Sequence, residues 1–353
     1  MTDANGNGRA PNMVDVAREA GVAHVTVSRV LNGHESVRPE TRRRVEKAIA
    51  KLGYRRNDFA RALKSGRTKA LGVVIAGSSL HALPSVLLGI ENAASATGHS
   101  VTLASWHADS GQLLVDTVGR LLGQGIEGLA IIADRPGVIE SLEALTPQVP
   151  TCVVMSGGVE NPAIASVEFD QVQGSRSATE YLLGLGHKTV AHLSGRRGTF
   201  DAAARVRGWR ERMNEAGDAG PLLFEGDFTA RAGHELGVQL LTESARPTAL
   251  FVGNDLMAMG LLAAFADRGV SVPEHVSVVG FDDMAGAEYV GPGLTTIRQD
   301  FEALGARSIE VIAGILQGDP PKHHLLPTEL VVRHSAASLS SSPADGVAAA
   351  AGA

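Results

Sequence analysis

Two groups of side chains in this sequence have the types and spacing for recognition rather than for making bonds. The first is the run His24-Val-Thr-Val-Ser-Arg29. The Arg29 guanidinium matches the paired acceptors of a guanine edge, and Val25 suits a thymine methyl. His24 lies on the same open side, while the hydroxyls of Thr26 and Ser28 suit phosphate oxygens, which fix register without reading sequence. The second group is dispersed and consists of Arg205, Asn254 and Asp282. A guanidinium, a carboxamide and a carboxylate converging on a cleft present paired donors and acceptors to vicinal hydroxyls. Phe228 and Phe301 would give such a cleft apolar walls for a sugar ring. The plainer alternative on the residues alone is that Asp282 and Arg205 only pair with each other or cap helices.

Catalytic chemistry is poorly supported. Asp282-Asp283 is the most suggestive carboxylate pair, but neighbours on an extended segment point to opposite sides. No phosphate loop of the form GxxxxGK[ST] occurs, and Gly184-Leu-Gly186 is too short for a dinucleotide fingerprint. His323-His324 lacks helical metal-ligand spacing and cysteine partners, so a solvated loop pair is expected. The reading is therefore not an enzyme, with no cofactor and no metal.

The elements that must position these groups are legible as patterns. Val14, Ala17 and Ala20 fall on one side of a first helix, and Val27, Val30 and Leu31 on one side of a second. Gly21 sits between them where a helix end needs a left-handed residue. Asn12 is placed to cap the first helix, and a third helix is expected from Pro39 to the glycine at 53. Short helix, glycine turn and second helix make a helix-turn-helix, whose second helix lies in the DNA major groove. From Leu71 onward, short apolar runs (71–76, 100–105, 128–132, 151–155, 189–193, 222–224, 249–252, 276–279) alternate with helical stretches (84–97, 113–122, 175–185, 201–215, 230–241, 255–268). That alternation implies an α/β body with two parallel sheets covered on both faces, in two lobes. Ligands of such sheets bind beyond the carboxyl ends of the strands, where Gly253-Asn254-Asp255 and Phe281-Asp282-Asp283 fall.

Charge separates the same two parts. The whole chain of 353 residues carries a net −6, yet residues 1–70 hold 15 Lys and Arg against 7 Asp and Glu, net +8. The remaining residues hold 17 against 31, net −14. A basic head on an acidic body is the asymmetry of a nucleic-acid-binding domain fused to something else. An exported solute-binding protein would need a signal segment and no basic head. Cys152, the single cysteine, lies in an apolar strand-like run and is expected to be buried and inert. The lack of disulfides and of a membrane-spanning run points to the cytoplasm.

Together, Asp15-Val-Ala-Arg-Glu-Ala-Gly-Val22, Thr26-Val-Ser-Arg-Val-Leu-Asn-Gly33, Pro39-Glu-Thr-Arg42, Leu52-Gly-Tyr54 and Asn57-Asp-Phe-Ala-Arg-Ala-Leu63 resemble the head and hinge helix of the LacI/GalR family of bacterial regulators. Ser78-Ser-Leu-His-Ala82, Pro247-Thr-Ala-Leu-Phe-Val-Gly-Asn-Asp255, Val276-Ser-Val-Val-Gly-Phe-Asp-Asp283 and Leu294-Thr-Thr-Ile-Arg-Gln-Asp-Phe301 resemble its effector-domain blocks. The resemblance implies a leader (1–11), a helix-turn-helix domain (12–56), a hinge helix and linker (57–70), a two-lobed periplasmic-binding-protein-like effector and dimerisation domain (71–335) and a disordered tail (336–353). It implies a homodimer on double-stranded operator DNA, contacted by Asn32 and Asn57 besides the residues above, with Leu63 wedged into the central minor-groove step. It adds Ser79 and Gln299 to Arg205, Phe228, Asn254, Asp282 and Phe301 around a small-molecule effector, a carbohydrate. Five positions depart from the pattern. His24 and Val25 differ from the lac-type base-reading pair, so a lac-type operator is not implied. Ala23 and Arg38 replace serine caps, and Met155 stands where the lac-type pattern has a sugar-binding aspartate.

Overall fold

The computed structural model describes residues 11–31, 33–54, 67–76, 82–106, 114–133, 138, 141, 147–154, 161–218, 220, 222–242 and 247–339. Asn32, Asn57, Leu63, Ser79 and Met155 lie outside the described residues, as does most of the expected leader, hinge helix and tail. The chain divides into two compact units, residues 1–68 and 69–353.

The first unit holds three helices, α1 (Met13–Ala20), α2 (His24–Leu31) and α3 (Pro39–Leu52). Asn12 and Asp15 form a reciprocal capping box at the start of α1, and Gly21 ends it at φ 61°. Gly53 ends α3 in the same left-handed conformation, and Pro39 occupies its first turn. Arg38 makes no side-chain cap bond, as its replacement of a serine led us to expect. Val16, Val27 and Val45, one from each helix, are fully buried together in a small core.

In the second unit the order is β1 (Ala70–Ala76), α4 (Leu83–Ala96), β2 (Ser100–Ser105), α5 (Leu114–Gly123), β3 (Gly128–Ala133), β4 (Thr151–Val154) and β5 (Ala165–Phe169). There follow α6 (Gln171–Gly184), β6 (Ala191–Arg196), α7 (Phe200–Glu215), β7 (Leu223–Gly226), α8 (Ala230–Thr242), β8 (Ala249–Val252), α9 (Asp255–Ala266) and β9 (Ser277–Asp282). The last elements are β10 (Thr295–Arg298), α10 (Phe301–Leu316), β11 (His323–Leu326) and β12 (Glu329–Val331). Two six-stranded sheets result, in the orders β11-β5-β4-β3-β1-β2 and β12-β10-β9-β8-β6-β7. All pairings are parallel except β10 with β12. Each sheet has apolar packing on both faces: Val73 and Val74, adjacent in β1, serve opposite cores.

The first lobe is completed by late segments. Helix α10 packs against α4 so closely that a Cβ on Gly89 would stand 2.1 Å from the Glu302 carbonyl oxygen. The chain therefore passes between lobes three times: at Asp170, at Gln299-Asp300 and at Pro327-Thr328. Strands β5, β10, β11 and β12 and helix α10 were not foreseen as separate elements in the sequence. His323-His324 belongs to β11 rather than to a solvated loop, and His323 meets Glu168 (3.1 Å) and Ser166 (2.7 Å) of the neighbouring strand.

Residues 336–339, expected to belong to the tail, are hydrogen-bonded to the second lobe. Ala337 donates its amide to Ser277 Oγ (3.1 Å), and Leu339 donates its own to the Leu185 carbonyl (2.8 Å). Ser335 Oγ bridges the Val278 carbonyl and the Thr295 amide. The buried backbone of β9 and β10 requires partners on this side, and residues 335–339 supply them.

Candidate effector cleft and nucleic-acid-binding head

The three crossings bring the dispersed polar residues together. Arg205, on the second turn of α7, is 3% exposed, so its charge needs partners. Its Nε donates to Gln171 Oε1 (2.9 Å), one NH donates to the Gly253 carbonyl, and the other lies 3.5 Å from Asp282 Oδ1 and 3.9 Å from Asp201 Oδ2. Its plane rests on the Phe281 ring, 3.9 Å from the centroid. Gln299 closes the circuit: its amide donates to Asp282 Oδ1 (2.8 Å) and its carbonyl oxygen accepts from Gln171 (2.7 Å). Thus α6, α7, the end of β9 and the segment after β10 meet in one hydrogen-bonded network at the carboxyl ends of the second sheet. Arg205 and Asp282 do pair, but as members of this larger network.

Asn254 is fully buried and caps α9 through Met257 N (3.0 Å), while its amide tethers the Phe228 carbonyl (3.1 Å). That tether holds Phe228 at φ 71° with its ring against Gly195, where a Cβ would come within 1.9 Å. The Phe228 centroid is 5.8 Å from the Arg205 guanidinium carbon. From the other lobe, Phe301 meets Phe169 edge-on at 5.7 Å. A cleft of ≈ 390 Å³ opens here, lined among others by Ser85, Asp282, Gln299 and Phe301. Of the described effector candidates, Asp282, Gln299 and Phe301 line this cleft; Arg205 reaches it through Asp282, and Phe228 and Asn254 lie on the far side of Arg205. Sequence reasoning missed Phe169, Gln171 and Asp201. Only the Asp-Gln pair directly after an apolar run hinted at the first crossing.

Ionisation follows burial. Asp255, at the start of α9, is pushed up to about 7 by desolvation and then by the charge of Asp282. His192, sealed behind the network in β6, is pushed down to about 3 by burial and stacks on Phe251 at 4.4 Å. Burial pushes the Cys152 thiol up to about 12, which fits an inert core thiol. Among the described residues, no group of three or more His, Cys, Asp or Glu is placed to hold a metal.

In the head, Val27 and Val30 of α2 face the core. His24, Val25 and Arg29 face outward, and Val25 is 58% exposed although apolar. Thr26 and Ser28 sit at the edge of that face, half-buried. Arg44 of α3 turns back on α1, donating to the Ala20 (2.8 Å) and Gly21 (3.0 Å) carbonyls, and so clamps the turn that leads into α2.

Residues 12–57 match the family described as bacterial regulatory proteins, lacI family, and residues 179–336 match the periplasmic binding protein-like domain. The chain is 34% identical to the lactose operon repressor of Escherichia coli strain K12, over 91% of this chain and 89% of that protein. It belongs to the LacI family. Catabolite control protein A of Priestia megaterium is 34% identical over 84% of this chain and 90% of its own length. For the transcriptional regulator CelR of Thermobifida fusca the values are 32%, 93% and 98%. Among solved structures, the lac repressor dimer bound to operator and the anti-inducer ONPF superposes with a TM-score of 0.80 at 32% identity, covering 93% of this chain and all of that one. The CelR–cellobiose complex gives 0.68 at 30%, covering 92% and 99%. This LacI-family chain is accordingly a transcriptional regulator with a DNA-binding head and a ligand-binding body, not an enzyme. No helix among its described residues is long and apolar enough to cross a membrane.

Proposed function

We propose that this LacI-family protein is a cytoplasmic repressor that binds double-stranded operator DNA as a homodimer and is controlled by a small carbohydrate in the interlobe cleft. The observation that carries the reading is the Gln171–Arg205–Asp282–Gln299 circuit, because two of its members sit on segments where the chain passes between lobes. A ligand that engages this circuit interacts differently with different lobe settings, which is the requirement for an effector. The carboxylate, guanidinium and amides suit hydroxyl groups, and Phe228, Phe301 and Phe169 suit the apolar faces of a sugar ring. The solved CelR complex with cellobiose is a relative's precedent for such a ligand. Met155, in place of an aspartate, removes one carboxylate from the lac-type pattern, so the preferred sugar differs from a lac-type galactoside.

At the DNA, His24, Val25 and Arg29 read base edges, Thr26, Ser28, Asn32 and Asn57 hold the backbone, and Leu63 wedges the central step. Ser79 is a further effector contact by its resemblance to the family's pattern. The test is operator selection from random duplexes, then fluorescence anisotropy at fixed salt with and without a sugar panel. A palindromic site whose affinity falls with one sugar identifies an inducer, and one that tightens identifies a corepressor. No sequence preference at any salt overturns the reading.

A further inference from the structure

The turn that carries Asp282 is held against its own backbone preference. Asp282 has φ 112° and Asp283 φ 52°, two consecutive side-chain-bearing residues in the left-handed half of the map. Such strain persists only where the surroundings over-determine it. Here two further carboxylates do so, one from behind and one from the side.

Asp255, fully buried at the start of α9, accepts the Met284 amide on Oδ2 (2.9 Å) and the Thr296 hydroxyl on Oδ1 (2.6 Å). Its Oδ1 fills the space over Gly280, where a Cβ would come within 2.2 Å. Asp283 accepts from Arg298 Nε (2.7 Å) on Oδ2 and from Arg333 (2.6 Å) on Oδ1, and Arg333 also donates to the Leu294 carbonyl (2.7 Å). The residue before the Asp283–Met284 pair is the one whose carboxylate enters the cleft network. The two anchors bind it to α9, to β10 just before Gln299, and to Arg333 in the segment after β12.

We propose that Asp255 and Asp283 are positioning residues of the effector cleft: they hold residues 282–284 in the left-handed turn that aims the Asp282 carboxylate at Gln299 and Arg205. The proposal rests on the reading of the cleft as the effector site. A ligand then meets a carboxylate already ordered, and little of its binding free energy goes into arranging the turn. The chemistry of Asp255 fits this role better than a role in bulk stability. Desolvation and the neighbouring Asp282 disfavour its charged form, yet both of its oxygens are engaged, one by the Met284 amide and one by the Thr296 hydroxyl.

The test uses the full chain and three variants, Asp255→Asn, Asp283→Asn and Asp283→Gly. Amide hydrogen exchange of the unliganded proteins is read on peptides covering 281–287 and, as a control, 249–252. Binding is read by calorimetry with glucose, galactose, lactose and cellobiose as probes. In each variant we expect exchange in 281–287 to accelerate at least tenfold while 249–252 is unchanged, and affinity for whichever probe binds to fall about tenfold. Asp283→Gly tests the ion pairs specifically, because glycine accepts φ 52° without strain but cannot hold two arginines. Wild-type behaviour of the glycine variant, unchanged exchange, or acceleration spread over the whole lobe overturns the proposal. If the wild-type chain binds no probe, the carbohydrate reading fails, and the exchange measurement still decides whether these carboxylates hold the turn.

Discussion

Arg205 shows how a single side chain serves both stability and recognition. Removing it leaves the buried Asp282 carboxylate and Gln171 without their guanidinium partner. Arg205→Ala should therefore cost roughly 3–5 kcal/mol in urea unfolding and abolish effector response at the operator. Arg205→Lys, a point charge that lacks the planar fork resting on Phe281, should fold but lose most effector affinity. His192 gives a pH signature. Its folded value of about 3 lies below the ordinary 6.5, so between these values the unfolded chain binds more protons. His192 alone thus contributes a loss of stability as pH falls below about 6.5, approaching ~1.4 kcal/mol per unit, while Asp255, raised to about 7, contributes with the opposite sign over the same range. His192→Phe should remove the first contribution and so change the slope of a stability-against-pH curve between about 4 and 6, and an unchanged slope would contradict the assignment. At this scale Arg205, Asp282 and Asn254 were legible because ligands of parallel sheets lie beyond the strand ends. Gln171 and Asp201 were not, since nothing local marks a side chain whose partner is 128 residues distant, as Gln299 is from Gln171. The left-handed Asp282 was equally hidden, because glycine is the usual sequence marker for that conformation.

Among elements, the head was the most readable part, because its signals are short-range: Asn12 with Asp15, Gly21, Pro39 and Gly53 each act within a few residues. The Arg42-Arg-Arg44 run was harder to read, since charge alone does not distinguish a phosphate contact from an internal clamp. Arg44 is committed to the Ala20 and Gly21 carbonyls. Arg44→Ala should weaken binding to specific and non-specific duplexes while leaving the slope of log affinity against log salt unchanged, whereas loss of a phosphate contact lowers it by about 1. Arg29→Ala should cost about 1–3 kcal/mol on the preferred site and relax specificity there. Anisotropy across a potassium chloride series checks both. Strands β5 and β10 to β12 escaped notice because each has only 3–5 residues, and their identity is fixed by non-local pairing. His-His-Leu-Leu reads as a loop until Ser166 and Glu168 are seen beside it.

At the scale of the molecule, the alternation of strand and helix made both sheets legible, with late segments crossing back between the lobes, but not which segments cross or the strap at 335–339. The strap predicts a sharp boundary for shortening the chain. Ending it after Leu339 should leave thermal stability unchanged, while ending it after His334 strips the Ser335 and Ala337 bonds from Val278, Thr295 and Ser277. Two or three buried groups left without partners cost roughly 3 kcal/mol, a fall of about 5 °C or more in Tm. Calorimetry on the two truncations decides the matter. The triple crossing also constrains inheritance. The first lobe needs residues 70–169 together with 301–326, and the second needs 171–298 together with the segment after Glu329. A single recombination breakpoint anywhere in the body therefore splits at least one lobe between two parents, whereas the head is one uninterrupted stretch. New address specificity can be acquired by exchanging that one stretch. New ligand specificity has to arise by point changes within a body that is inherited whole. On the ribosome, likewise, the first lobe has no complete sheet until β11 has emerged, so the part translated earliest in the body is among the last to be finished.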